Sequence, residues 1–515
     1  MAFVRKSKFR HVYGQLPKIE QHYSDIKGSS STLDTNMIKV NEKYISYIWQ
    51  GTGGGSICVF PVENIGRQPS NPPLITGHTR PVTDMDFSPF NPSIIATTCE
   101  DCLVRVFKIP EGGIHEGGLN DAVQTLSGHG RKSTELFFNP VAENILASAG
   151  AENSIKIWDI ESGASLFNID TVHTDSIQSF KWNEEGNLIA TQSRDKKARI
   201  IDVRSGEVTS EFASHQGMKT ARILWNNIRG WLISPGFGKQ SERELIIWDQ
   251  RDSSKPIVQQ KIDQSSGIML PFFDEATQLL FIASKGEATI RYYELNDEAP
   301  HAHFVSAFNE GHPTRGITMI PKVLVNAKDC EIAKFYRTTA KDTIEPISFI
   351  VPRRSEQFQD DIYPPVVDSA TPSLNGTDWA SGQNKKQRYF QFTATEPKYL
   401  DADTDISHYY KETKAEFASL KTPISDKVGP KVAAAEIKSP DVKKSPGPTF
   451  QTPKITPSPQ LGSVSSVDKS EDLRTAKDKI DELERQLRLK DEVIGDLRKQ
   501  VDELEKKVEE LENPQ

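Results

Sequence analysis

The chain has 515 residues, more than one ordinary domain holds, with 26% charged residues, a formal net charge of −8 and four cysteines, at positions 58, 99, 102 and 330. That balance offers no basic footprint for nucleic acid, no apolar run approaches the roughly 18 residues of a membrane-spanning helix, and the opening MAFVRKSKFR lacks the hydrophobic core of a signal peptide. Few cysteines without framework spacing point to a soluble protein of a reducing compartment.

Seven segments of one kind recur down the first two-thirds of the chain: SICVFPV, VRVFKIP, IKIWDI, ARIIDV, LIIWDQ, IRYYEL and IAKFYRT. Their marker residues, Phe60, Phe107, Trp158, Ile201, Trp248, Tyr293 and Tyr336, are spaced by 43 to 51. A period of that length is one four-stranded propeller blade. Upstream of several markers stand Gly77-His78, Gly128-His129, Val172-His173 and Ser214-His215. This is the pattern of a WD-repeat array, so residues 1–344 are predicted to form an all-β, seven-bladed propeller.

In such a repeat a His before the first strand, a Ser or Thr in the second, an Asp in the next turn and a Trp in the third strand bond to one another, satisfying polar groups that the blade buries. The expected sets are His78 with Thr98, Asp101 and Phe107, and His173 with Thr191, Asp195 and Ile201. Glu152 and Glu242 take the place of Asp beside Trp158-Asp159 and Trp248-Asp249. A closed ring shields its strand edges, and FRHVYG is expected to close it as the outer strand of the last blade.

Catalytic and metal motifs compete poorly with this reading. Cys99-Glu-Asp-Cys102 has the spacing of a zinc half-site, but zinc needs a second pair of ligands and a redox motif needs a βαβ setting. Gly51-Thr-Gly-Gly-Gly55 lacks the Lys-Ser/Thr ending of a phosphate loop and lies between two strands, as a hairpin turn does. Histidines that recur with the blade period do one structural job repeatedly. With no nucleophile elbow and no H-E-x-x-H, the chain is expected to be no enzyme and to need no cofactor or metal.

Beyond Glu345 the segment EPISFIVPRRSEQFQDDIYPP carries Ile347, Phe349, Ile350, Val351, Phe358, Ile362 and Tyr363. So many large apolar groups predict an extension, residues 345–394, docked on one propeller face. Residues 395–470 are rich in Pro, Ser, Thr and Lys and read as a disordered linker. In it Thr422, Ser439, Ser445, Thr452, Thr456 and Ser458 each precede Pro, the arrangement that proline-directed kinases use.

Residues 471–512 repeat every seven, with Ile480, Leu487, Ile494, Val501 and Val508 at position a and Leu483, Lys490, Leu497, Leu504 and Leu511 at d. Five heptads with one interruption predict a coiled coil and hence a homo-oligomer. β-Branched a positions with Leu at d favour two strands, whereas Leu487 and Lys490 blur the preference, so dimer and trimer both stay open.

The order propeller, docked extension, linker and short coiled coil, together with SKFRHVYG, QHYSDI, GTGGGSICVFPV, GHTRPVTDMDFSPFNPSIIATTCEDCLVRVFKIPEGG and FIVPRRSEQFQDDIYP, resembles the coronins. The resemblance implies a protein of the cytoplasm and actin cytoskeleton, in its cortex and patches. It would bind actin filaments through the propeller and regulate the actin-related-protein (Arp) nucleating complex, with cofilin as a further partner in filament turnover. It also implies that Lys27 holds the place of a filament-binding Arg, keeping the charge without the bidentate fork. Lys479-Ile480-x-x-Leu483-Glu484 and two similar segments approximate the family's trimer signature with Lys or Gln in place of its Arg. Arg5, Lys6, Lys8, Arg10, Lys18 and Lys27 are expected to form one basic patch at the N-terminal rim, suited to an acidic polymer. The competing class is a WD-repeat adaptor for another assembly, such as a vesicle-trafficking complex.

Overall fold

Short β-branched and aromatic runs between turn residues favour strands, and here each run finds two neighbours to hide between. Strands such as Ile145–Gly150 and Leu279–Ser284 are buried along their whole length because blades stack on both of their faces. The computed structural model describes residues 7–30, 33–51, 55–355 and 357–410. Within them six antiparallel four-stranded sheets follow one another in chain order, beginning with Ile38–Val40, Val82–Phe87, Ser133–Phe138, Ile177–Trp182, Leu224–Asn226 and Met269–Asp274. Their first strands lie side by side around an axis, and Thr314–Met319 of the seventh sheet returns beside Ile38–Val40 to complete the ring.

The seventh blade is closed by the start of the chain. Thr314–Met319, Glu331–Thr339 and Ile344–Ile350 pair in order, and Tyr13–Gln15 adds to the last of them with Tyr13 opposite Ile350 and Gln15 opposite Ser348. FRHVYG therefore supplies the closing strand. Phe9 and Val12 fasten it by packing in one core with Phe349, Ile362 and Tyr363.

Two expectations fail here for a shared reason. Six markers lie on third strands, but Tyr336 lies on the second strand of its blade, because two 3-10 turns at Lys322–Leu324 and Ala327–Asp329 lengthen the connection before it. The third strand is Ile344–Ile350, so the boundary expected at 344 falls at a blade strand, and the buried Ile347 and Phe349 belong to the propeller core instead of a docked extension. At its other end the ordered chain passes 395. Lys398–Leu400 pairs with Tyr389–Gln391, which pairs with Val366–Val367, and Ser407–Tyr410 forms a helical turn. The remaining linker, the proline-directed sites from Thr422 to Ser458 and the coiled coil lie outside the described residues.

The polar network of each blade is present with two corrections. His78 Nε2 bonds Thr97 Oγ1 at 2.8 Å, not Thr98, whose hydroxyl points to the opposite side of the strand and meets Thr83 at 3.0 Å. His215 Nδ1 bonds Glu244 at 2.9 Å, not Glu242. The other sets stand as expected: His173 meets Thr191 at 2.9 Å and Asp195 at 3.3 Å, and His129 joins Glu152 and Ser148, with Trp158 Nε1 donating to Ser148 Oγ at 2.8 Å. Where Trp is missing, Arg105 and Arg199 donate to Asp101 and Asp195 from the third strand.

We call the face that carries the second-to-third-strand turns and the blade-to-blade connections the upper face, and its opposite the lower face. The extension covers lower-face turns. Tyr363 donates to Glu331 O at 2.8 Å, Leu374 bridges Ala142, and the short helix Gly376–Ala380, capped by Asn375, inserts Trp379 beside blade four. Trp379 is 0% exposed, its Nε1 donates to Gly186 O at 2.9 Å, and Trp182 and Phe167 meet its ring edge-on.

Trp379→Ala should cost about 3–5 kcal/mol, since it leaves a large cavity and removes one of the two hydrogen bonds to Gly186 O, the other coming from Asn139; denaturant unfolding checks this, and a loss below about 1 kcal/mol would contradict the docking. A second outcome concerns acid. Burial first, and then Arg199, lowers His173 from 6.5 to about 4. The unfolded imidazole therefore takes up its proton first, so stability is intact above about pH 6.5 and falls as pH drops toward 4, by on the order of 3 kcal/mol from this residue. Asp195, whose carboxyl is held low by Arg199 and His173, acts in the same direction. His173→Gln should flatten that part of an unfolding-free-energy profile against pH.

Candidate functional site

The upper face is assembled from turns that the blade chemistry leaves polar. Its exposed basic side chains are Lys27, Arg80, Arg131, Lys132, Arg194, Lys196, Lys239 and Lys341, contributed by blades one, two, four, five and seven. The exposed carboxylates on the same connections among the described residues are Asp170, Asp175, Glu310 and Asp342, and Asp342 is paired with Arg315 at 2.7 Å. Lys132 is paired with half-exposed Glu100 at 3.3 Å, and the exposed cations of this face still outnumber its exposed carboxylates on a chain whose net charge is −8.

Lys27 sits at its edge, where the chain passes from the closing strand to blade one. Ile26 N donates to Asp342 O and Gln50 N donates to Lys27 O, both at 2.9 Å, which fixes the backbone on either side. The Lys27 ammonium donates to Ser70 O at 2.6 Å and lies 5.8 Å from the centre of the Trp49 ring. It is exposed yet positioned, a charge over an aromatic face. In the sequence, the signal for Trp49 is its place two residues before the Gly51–Gly55 turn.

Gly55 begins the strand after that turn, and a Cβ there would lie 2.2 Å from Arg80 O. The glycine run thus serves close approach between neighbouring upper-face turns, with residues 52–54 outside the described set.

The structure does not bring the predicted patch together. Lys8 donates to Asp361 O at 3.2 Å, and Arg10 is exposed two residues before the buried Val12, so both lie beyond the lower end of Ile344–Ile350. Lys27 lies beyond its upper end. Seven residues of strand at about 3.3 Å each separate them by roughly 20 Å. Lys18 is exposed before the 3-10 turn Ile19–Gln21. Arg5 and Lys6 lie outside the described residues.

One cluster has the makings of a metal site. Ligand atoms of His78, Cys99 and Asp101 lie within 4.8 Å of one another. Each is already committed: His78 bonds Thr97 and Asp101, Cys99 Sγ donates to Arg80 O at 3.0 Å, and burial pushes the Cys99 thiol up to about 12, far from the thiolate that zinc takes. The cluster is a blade network, and Cys102 stands across its turn with a positive φ of 67°.

Comparison with known proteins places this arrangement. The model for the WD domain, G-beta repeat, matches residues 71–108 and 120–159, a further type of WD40 repeat matches 344–387, and a domain of unknown function (DUF1899) matches 2–67. The chain is 36% identical over 466 residues to a coronin-like protein of Saccharomyces cerevisiae, covering 87% of this chain and 70% of that one. It is 42% identical over 385 residues to Coronin-A of Dictyostelium discoideum, covering 75% and 85%. The crystal structure of the WD40 domain from Toxoplasma gondii coronin superposes with a TM-score of 0.70 at 32% identity, covering 75% of this chain and 98% of that domain.

Lys27→Glu should leave stability within about 0.5 kcal/mol, as for a surface substitution. Gly55→Ala should cost about 1–3 kcal/mol, since backbone must move to admit one methyl group. Denaturant titration of both proteins checks the contrast; equal effects would mean that Lys27 is a structural residue.

Proposed function

The chain belongs to the coronin family, and from that membership we propose that it binds the sides of actin filaments with its upper face. Through a coiled-coil oligomer it organises filaments in the cytoplasm and regulates the Arp nucleating complex, with cofilin as a partner in turnover. The observation that carries the reading is the contrast between the two faces: one presents basic turns around a positioned Lys27, and the other is overlaid by the chain's own extension. Filaments are acidic polymers with many identical sites. Weak contacts repeated through an oligomer then give avidity, and salt screens them, since the Debye length is about 8 Å at physiological ionic strength.

Lys27 is the residue we assign to the contact. Lys8 and Arg10, displaced to the lower end, are assigned a secondary part, which Arg5 and Lys6 are proposed to share. Ile480, Leu483, Leu487, Ile494, Leu497, Val501, Leu504, Val508 and Leu511 are assigned to the oligomer seam. Phosphorylation at Thr422, Ser439, Ser445, Thr452, Thr456 and Ser458 would add about −1.5 to −2 charges per site and weaken contact with an acidic filament.

Cosedimentation with filaments across a salt series tests the reading on four proteins: wild type, Lys27→Glu, the pair Lys8→Glu with Arg10→Glu, and a chain lacking 471–515. Lys27→Glu should weaken binding about tenfold and the lower-end pair less. Removing the coiled coil should lower apparent affinity by tenfold or more, with light scattering reporting a monomer, because the propeller leaves only short, shielded strand edges. Binding absent from all four proteins would transfer the chain to the adaptor class.

A further inference from the structure

The upper mouth of the axial channel is bridged by the chain itself. Residues 33–36, on the way into blade one, cross it and are fastened to four other blades. Lys285 of blade six donates to Leu33 O, and Thr220 Oγ1, just before blade five, donates to Asp34 Oδ2 at 2.5 Å. Thr35 Oγ1 donates to Thr83 O of blade two at 2.8 Å, and Ile317 N of blade seven donates to Asn36 O at 3.0 Å. Blades two and five are as far apart as a ring of seven allows, so this strap spans the mouth.

The connection from blade four to blade five, residues 214–223, completes the platform. Gly217 N donates to Phe237 O at 2.8 Å, and the approach is so close that a Cβ at Gly217 would lie 2.5 Å from that oxygen. Lys219 Nζ donates to Ser266 O at 3.0 Å, and Arg222 reaches past blade four to pair with Glu135 of blade three at 2.9 Å. The loop is thus pinned on both sides of Met218, whose own side chain is 63% exposed. A single exposed apolar side chain is ordinary on a protein surface. This one is held by a built loop, two residues from the strap's partner Thr220, and the surrounding turns carry the exposed cations Arg80, Arg131, Arg194 and Lys239. An apolar centre inside a polar rim is the anatomy of a protein–protein contact, in which a few central side chains carry most of the affinity. Methionine suits that place because its unbranched thioether adapts to a partner's shape. A loop already fixed loses little freedom on binding.

We propose that Met218 is the apolar anchor of the filament contact, entering an apolar recess of an otherwise acidic partner while the basic turns meet the charges around that recess. The proposal rests on the reading that the upper face binds filaments. Charge and apolar burial then divide the contact: salt screens the rim cations and leaves the anchor unaffected.

Cosedimentation of full-length proteins with actin filaments across a salt series tests the anchor. Met218→Ala and Met218→Gln should each weaken binding about tenfold at every salt concentration, with the salt dependence of the wild type. Met218→Leu should restore binding to within twofold of wild type. Lys27→Glu, in contrast, should weaken binding most at low salt. Filament binding that Lys27→Glu weakens, but that Met218→Ala and Met218→Gln leave within twofold of wild type, would overturn the anchor and keep the upper-face reading. A loss in Met218→Leu as large as in Met218→Gln would also overturn it, because the contact would then not be apolar. Binding that neither the Lys27 nor the Met218 changes alter would overturn the anchor and the upper-face reading together.

Discussion

Pairing of Tyr13–Gln15 with Ile344–Ile350 is the contact on which the remaining architecture depends. It joins segments separated by roughly 330 residues, and closing a loop of that length costs about 5 kcal/mol beyond a constant. Three ladder positions do not offset that alone. The surplus comes from burial: Phe9 and Val12 enter the core that holds Phe281, Phe335 and Phe349, whose rings meet one another at 4.8 to 5.5 Å. At about 25 cal/mol per Å² of apolar surface, two such side chains contribute a few kcal/mol. Closure also covers the edge of Ile344–Ile350 that would otherwise be open to another chain.

The direction of that pairing decides which face is free. Ile344–Ile350 runs from the upper to the lower face, so the chain leaves the propeller below, and its continuation lies across the nearest surface. Tyr363 reaches Glu331 of blade seven, and Trp379 reaches Gly186 of blade four, three blades away in chain order. The same antiparallel geometry carries the N-terminus upward, leaving Lys8 and Arg10 below and delivering Lys27 above. Function follows from strand polarity: the covered face holds the extension and the linker's origin, and the basic turns of the other face stay open.

Much of this was legible in the sequence because a blade is a local object. A His, a hydroxyl, a carboxylate and an aromatic residue within some 30 residues specify it: the set at His173 agrees with its sequence pattern, as does Glu152 in the place of Asp beside Trp158, whereas Ser148 is identified by the structure. The errors arose where local spacing leaves two answers. Thr97 and Thr98 are adjacent in a strand, so only the pleat decides which one faces His78, and Glu242 and Glu244 share a face, so only the register does. Tyr336 had the expected spacing on the wrong strand because the lengthened connection before Glu331 consumed the residues of a missing step. The N-terminal patch failed for a different reason. Its charges are close in sequence but not in space, because a strand-length passage lies between them. Trp49 acquires its role from Lys27, which ring closure delivers beside it and which no window of sequence places there.

Hydroxyl-radical footprinting of the full-length protein, free and on actin filaments, tests the division of labour between the two faces. Met218, 63% exposed on an upper-face connection, and Trp49 beside Lys27 are reactive reporters above; Tyr399 and Tyr409 of the extension report below. The account predicts that filaments protect Met218 and Trp49 and leave Tyr399 and Tyr409 as reactive as in the free protein. Protection of Tyr399 and Tyr409 with Met218 and Trp49 unchanged would place the filament on the covered face and contradict it.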